Sequence, residues 1–287
     1  MTSISPFEAV IFDLDGTLFR GSTAIPGAVK AVNRLREQIP CRFLSNNGER
    51  QSKALADRLQ GLGFDAEDSD IVSSADLVLG YLARTGRTHR ILALASDNLV
   101  QGLKAQGHRV VDDDSANVVI VGVDRKLTRE RMVQALRAAL NGAVLIGTNQ
   151  DPTYPGEDGL RPAAGAYVGF FRGMGIEPAC LCGKPDAWAI RQALDAWNID
   201  EPESCLLVGD NLQTDIAGAA AVGAASVLVL SGVSQREALA TSPNRPTGVF
   251  DSVAALDFAA LCELSEAHRN VPAASEAKPL TSGGDRS

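Results

Sequence analysis

The run Val10-Ile11-Phe12-Asp13-Leu14-Asp15-Gly16-Thr17-Leu18 constrains this chain more than any other stretch. Its first three residues are apolar and β-branched or aromatic, and acid and turn residues follow at once, so it reads as a buried strand ending in a functional loop. Alternate side chains of an extended chain share a face. Asp13 and Asp15 therefore point into one space while Leu14 returns to the core, and Gly16 permits a sharp turn. Two crowded carboxylates repel each other unless a positive charge lies between them. Mg2+ suits that role, because it is hard, takes oxygen ligands and keeps positions open for phosphate oxygens. Taken alone, an Asp-x-Asp pair reads as readily as a turn and helix cap. The rest of the chain decides between the two.

With 287 residues, 45% hydrophobic and 22% charged, the chain suits one large globular domain or two moderate ones. A net charge of -8 argues against a nucleic-acid surface, whose footprint is basic. Residues Met1 to Pro6 lack a basic leader and the nearby apolar run is broken by Asp13 and Asp15, so no signal peptide is expected. No apolar stretch is long enough to cross a membrane. The five cysteines, Cys41, Cys180, Cys182, Cys205 and Cys262, have no framework spacing, as expected of a reduced cytoplasmic protein. Cys180 and Cys182 form the only close pair, and the three histidines are scattered, so no thiol-based metal site is expected.

Strand and helix patterns then alternate. A helix is expected over 29–38, a strand over Cys41–Leu44 ending in Ser45-Asn46-Asn47-Gly48, and a helix over 49–62. Asp70 opens a further strand and helix. The same grammar continues with strands near 90–95, 110–111, 117–122 and 143–147, and with helices over 99–106 and 128–141, the latter capped by Thr128. Residues Thr148 to Pro162 read as a loop rich in Asn, Asp, Pro and Gly. Beyond Cys182-Gly183-Lys184-Pro185, a helix over 185–197 opens on its proline, followed by the strand Cys205-Leu-Leu-Val-Gly-Asp210, a small-residue helix over 216–222 and a strand over 226–230. The composition from Arg269 onward predicts a disordered tail. The expected class is α/β: a doubly wound parallel sheet from residues 1–80 and 181–268, with a second α/β domain inserted over 81–180 and a tail over 269–287.

Polar residues of complementary kinds now stand at several strand ends: Asp13 and Asp15, Ser45 with Asn46 and Asn47, Lys184, and Asp210 with Asp215. Ligands of open parallel sheets bind outside the carboxyl ends of the strands, so these distant positions can converge. A phosphoryl dianion among carboxylates needs a metal and Lys184 to offset repulsion, while Ser45 and nearby backbone N–H groups bind its peripheral oxygens. Asp13 is then the nucleophile that forms an aspartyl-phosphate, and Asp15 the acid and base.

These residues resemble the haloacid dehalogenase superfamily of aspartate-nucleophile phosphatases. The resemblance rests on Phe12-Asp13-Leu14-Asp15-Gly16-Thr17-Leu18, Leu44-Ser45-Asn46-Asn47-Gly48, Gly183-Lys184-Pro185 and Gly209-Asp210-Asn211 through Thr214-Asp215-Ile216, in family order. It implies a Rossmann-like core, a Mg2+ ion held by Asp13, Asp210 and the carbonyl of Asp15, and a supporting role for Asp215. The insert resembles the cap of the NagD-like, p-nitrophenylphosphatase branch, whose members commonly pair through their caps, so a homodimer is an expectation of the resemblance. Thr148-Asn149-Gln150-Asp151 and the residues through Gly165 are similar to that branch's cap-to-core loop, and Asn149, Asp151 and Arg161 are candidate substrate contacts or turn-shaping residues. The function so implied is hydrolysis of a small phosphorylated metabolite: a sugar phosphate, a glycerol phosphate or phosphoglycolate. A phosphomutase, or a non-catalytic phosphoacceptor or nucleotide-binding module, is the alternative reading of the same residues.

Overall fold

The computed structural model describes residues 6–156 and 159–270. The larger of its two parallel sheets has six strands in the order Gly248–Phe250, Ala225–Val229, Cys205–Gly209, Ala9–Phe12, Cys41–Ser45, Ile71–Ser73. Starting from Ala9–Phe12, the chain fills one side of the sheet and then returns to build the other. The carboxyl end of Ala9–Phe12 is therefore the switch point at which a doubly wound sheet opens its crevice.

The two strands at its centre, Ala9–Phe12 and Cys205–Gly209, are continuous apolar runs because both faces are covered. Alternation divides the sheet's side chains between two cores. Ala9, Ile11, Leu44 and Leu207 face one cluster, and Val10, Phe12, Phe43, Leu206 and Val208 face the other.

The second sheet has five parallel strands in the order Cys180–Leu181, Val144–Gly147, Val118–Val121, Arg90–Leu94, Arg109–Val110. One of its faces, with Ile91, Ala93, Val118, Ile120 and Ile146, joins the cluster that also covers Ile11 and Leu207. The fold is thus α/β, a doubly wound sheet carrying an inserted α/β unit. The helix Ser74–Ala83 lies between the two. Ser73 starts it through a capping box, its Oγ accepting from Asp76 N at 3.2 Å while Asp76 accepts from Ser73 N at 3.0 Å. This helix spans the expected boundary at residue 80, and the strand Cys180–Leu181 spans the one at 180.

Several local expectations need correction. Residues 148–162 are not a plain loop: Thr153–Gly156 and Gly159–Pro162 pair as an antiparallel hairpin, whose Glu157 and Asp158 lie outside the described residues. Proline and glycine hid its strands, since both are depleted from sheet interiors and tolerated in a two-stranded edge. The helix expected from Pro185 begins at Ala187, because the Asp186 carboxylate caps it by accepting from Trp188 N at 2.9 Å. The helix expected over 49–62 spans Ser52–Gly61. The short hairpin Phe19–Arg20 with Thr23–Ala24, the helices Ala164–Arg172 and Phe258–Arg269 and the strand Gly248–Phe250 were not anticipated. Arg269 closes the last of these helices with Asn270 as its cap, and the remainder of the expected tail, 271–287, lies outside the described residues.

Candidate active site

Asp13 follows directly on the central strand, with its N–H donating to Val208 O at 2.8 Å, so the switch point itself aims the residue. Leu14 is fully buried behind it. Lys184, also buried, enters from the opposite arm of the chain and uses all three of its donors. Its Nζ reaches Asp13 Oδ1 at 2.6 Å, Asp215 Oδ1 at 2.7 Å and Leu44 O at 2.8 Å. Burial opposes its charge, but Asp13 and Asp215 outweigh that and hold it firmly protonated.

Asp210 ends the neighbouring strand and is likewise buried. Its Oδ2 accepts from Val233 N at 2.6 Å, and its carbonyl from Ser234 N at 3.0 Å. A Cβ at Gly16 or at Gly232 would collide with its carboxylate, and Gly16 also has φ +90°, so neither position admits a side chain without displacing the acid. Burial pushes the Asp210 carboxyl up to about 7, with Asp215 adding and Val233 N–H and Lys184 opposing. Asp13 is pushed up in the same direction by burial, against Lys184.

Asp13, Asp210 and Asp215 each offer a carboxylate oxygen within 4.8 Å of the others. One ammonium cannot neutralise three carboxylates. The surplus of negative charge and the purely hard-oxygen donor set fit a divalent cation of the Mg2+ or Ca2+ kind. Asp215 is already engaged on both oxygens, by Lys184 and by Asn211 N at 3.1 Å, as suits a supporting acid.

Asp15 is open to solvent on one side. Protein crowding around the rest of it raises its carboxyl pKa, against Arg58 first, then Arg50 and Lys184. Arg58 is anchored there: its guanidinium lies 4.1 Å over the Phe19 ring and donates to Gly21 O at 2.6 Å.

The residues after Cys41–Ser45 divide their duties. Ser45 is buried, and its Oγ accepts from Asn47 N at 3.2 Å, leaving its O–H free to donate. Asn46 grips the backbone of Lys184, accepting from its N–H at 2.7 Å and donating to its carbonyl at 3.0 Å. The Asn47 side-chain oxygen is engaged by its own loop, accepting from Glu49 N and Arg50 N, both at 2.9 Å. Asn149 donates to Asn46 O at 2.7 Å, and Asp151 accepts from Asn46 Nδ2 at 3.0 Å. Arg161 sits on the 159–162 arm of the hairpin, half-buried.

Sequence reasoning overlooked the Ser231-Gly232-Val233-Ser234 segment that wraps Asp210, and also Arg50 and Arg58. A Ser-Gly pair directly after the apolar run 227–230 was the available signal for the first. The arginines carried none, because a charge on an amphipathic helix reads as a solvated face.

Comparison with known proteins gives the family. A haloacid dehalogenase-like hydrolase model matches residues 10–109, and a second HAD-hydrolase-like model matches residues 181–256. An acid sugar phosphatase from Staphylococcus saprophyticus is 30% identical over 85% of this chain and 94% of its own length. The p-nitrophenyl phosphatase from Archaeoglobus fulgidus superposes with a TM-score of 0.81 at 33% identity, over 86% of this chain and 97% of that one. NagD from E. coli K-12 does so with a TM-score of 0.79 at 33% identity, over 88% and 99%. The chain belongs to the haloacid dehalogenase superfamily of hydrolases. Within it, its place is the NagD-like, p-nitrophenylphosphatase branch, and its class of activity is that of a phosphatase.

Proposed function

We propose that this phosphatase is Mg2+-dependent and hydrolyses a small phosphorylated metabolite through an aspartyl-phosphate on Asp13. The observation that carries the reading is the Lys184 clamp on Asp13 Oδ1 beside Asp210 and Asp215, a nucleophile fixed at one oxygen within a pocket built for charge. Asp13 Oδ2 has no hydrogen bond among the described residues and is the atom we assign to attack on phosphorus. As the new P–O bond forms, the bond to the leaving oxygen breaks, and Asp15 gives that oxygen its proton. The upward direction of the Asp15 carboxyl, driven by burial against Arg58, is the direction that a general acid needs. In the second displacement Asp15 takes a proton from water, the water oxygen attacks phosphorus, and Asp13 leaves as a carboxylate. Ser45 O–H and Lys184 would bind the peripheral phosphoryl oxygens.

Bound by Asp13, Asp210 and the Asp15 carbonyl, with Asp215 in support, Mg2+ would offset the charge of the transferring group. We take residues 1–80 and 181–268 as the catalytic core and 81–180 as a cap that limits water and selects the leaving group. The similarity to an acid sugar phosphatase favours sugar phosphates as the first substrates to assay.

Asp13→Asn should lower phosphate release by about three orders of magnitude or more while leaving the circular dichroism spectrum unchanged. EDTA should abolish activity and added Mg2+ restore it. Turnover that survives both treatments would remove Asp13 and the metal from the mechanism, and label retained on substrate without release of phosphate would favour a mutase.

A further inference from the structure

Asn46 makes a fully satisfied side-chain amide. Its Oδ1 accepts from Lys184 N, and its two Nδ2 protons go to Lys184 O and to Asp151 Oδ2. Only the last of these partners belongs to the inserted unit. The Asp151 backbone is held on both sides: its N–H donates to Asn149 Oδ1 at 3.1 Å, and its carbonyl accepts from Gly165 N at 2.9 Å. Gly165 has no room for a side chain there, since a Cβ would collide with the Gln150 carbonyl. Asn149 adds a parallel strap through its bond to Asn46 O at 2.7 Å. A continuous series of short contacts therefore runs from the first turn of the helix Ala164–Arg172 through Asp151, Asn46 and Lys184 to the carboxylate of Asp13.

We propose that Asp151 is a positioning residue, which holds the Asn46 amide in the one orientation that clamps both backbone groups of Lys184 and so keeps its ammonium on Asp13. The inference rests on the catalytic reading above. An Asn side chain inverted by rotation would set its amide nitrogen against Lys184 N and its oxygen against Lys184 O, two repulsive contacts. The Asp151 acceptor opposes that inversion, because inversion would also turn an oxygen toward a carboxylate. Through this contact the placement of the inserted unit bears on the nucleophile although Asp151 does not reach it. This differs from the candidate role in substrate contact: its effect falls on the rate of every substrate alike, rather than on the affinity of some.

Asp151→Ala and Asp151→Asn are measured beside wild type and Asp13→Asn, with p-nitrophenyl phosphate, acetyl phosphate and a hexose phosphate as probes. Phosphate release by wild type and its absence in Asp13→Asn test the catalytic reading separately. Against that background, Asp151→Ala should lower kcat about tenfold or more for each probe with KM within about twofold. Asp151→Asn, which keeps an acceptor oxygen and is isosteric, should recover most of the rate and guards against a misfolded alanine variant. A loss confined to KM or to the larger leaving group would overturn the proposal, as would an alanine variant with wild-type kcat or an asparagine variant no better than alanine.

Discussion

At the scale of single residues, the pocket is a problem in charge. Asp13, Asp210 and Asp215 are crowded round one ammonium, and the glycines at 16 and 232 let backbone close on Asp210 from two directions. A carboxyl whose folded pKa is about 7 against an ordinary 3.8 favours folding only in its protonated form. Its stabilising contribution is complete below about pH 4 and is lost as the pH rises through about 7. In EDTA, Asp210→Asn should therefore gain stability relative to wild type as the pH climbs from 4 to 7, measured by urea unfolding at each pH. Added Mg2+ should stabilise wild type more at pH 8 than at pH 5. A difference between variant and wild type that is flat with pH would show that Asp210 is not strained by its neighbours.

Among the secondary-structure elements, the ends matter more than the middles. Asp13, Ser45 and Asp210 stand at or just past parallel strands, and those strands were legible because continuous apolar runs such as 9–12 and 205–209 have few other uses. Their partners on helices and hairpins were less so. The start of the helix Ala187–Ala196 is set by the Asp186 side chain, whereas Pro185 alone pointed to an earlier start. Asp186→Ala should cost about 0.5–2 kcal/mol of unfolding free energy, read from chemical denaturation, with the helix otherwise retained. An unchanged denaturation midpoint would mean that the bond to Trp188 N contributes nothing net. The hairpin 153–162 escaped sequence reading because proline and glycine, both poor strand formers, occur in each of its strands, and only the partner strand makes the segment one.

Across the whole molecule, one apolar cluster joins the two sheets. Ile11 and Leu207 from the larger sheet, Val78 and Leu82 from the intervening helix, and Ile91 and Ile120 from the smaller sheet all belong to it. The bidentate pair of Arg125 with Glu49, at 2.9 and 3.2 Å, adds a polar tie nearer the pocket, but Arg125 is largely exposed and the tie is worth little beside the shared core. The two sheets should therefore unfold together. Leu82→Ala, at a fully buried position, should cost about 2–5 kcal/mol and leave a single transition, with tryptophan fluorescence and circular dichroism coinciding. Two separated transitions in wild type would mean that the shared cluster does not couple the sheets. Among the described residues no helix is long and apolar enough to cross a membrane.

What the amino-acid sequence determined by itself was local. Apolar runs, their punctuation by acid and glycine, and the family order of four short motifs were enough to single out Asp13, Asp15, Ser45, Lys184, Asp210 and Asp215 as one candidate group, because strand ends of a doubly wound sheet meet at its switch point, and the fold brings Asp13, Lys184, Asp210 and Asp215 together. What only the tertiary structure decided was the assignment of hydrogen bonds within that group. Asn46 reads in the sequence as a candidate substrate-binding residue and its amide also hydrogen-bonds both backbone groups of Lys184, while Asp151, a candidate substrate contact or turn-shaping residue, accepts from Asn46. The reason is geometric: a side chain's partner is the group that packing brings within about 3 Å, and for these residues that group lies in a distant part of the chain, where no local pattern records it.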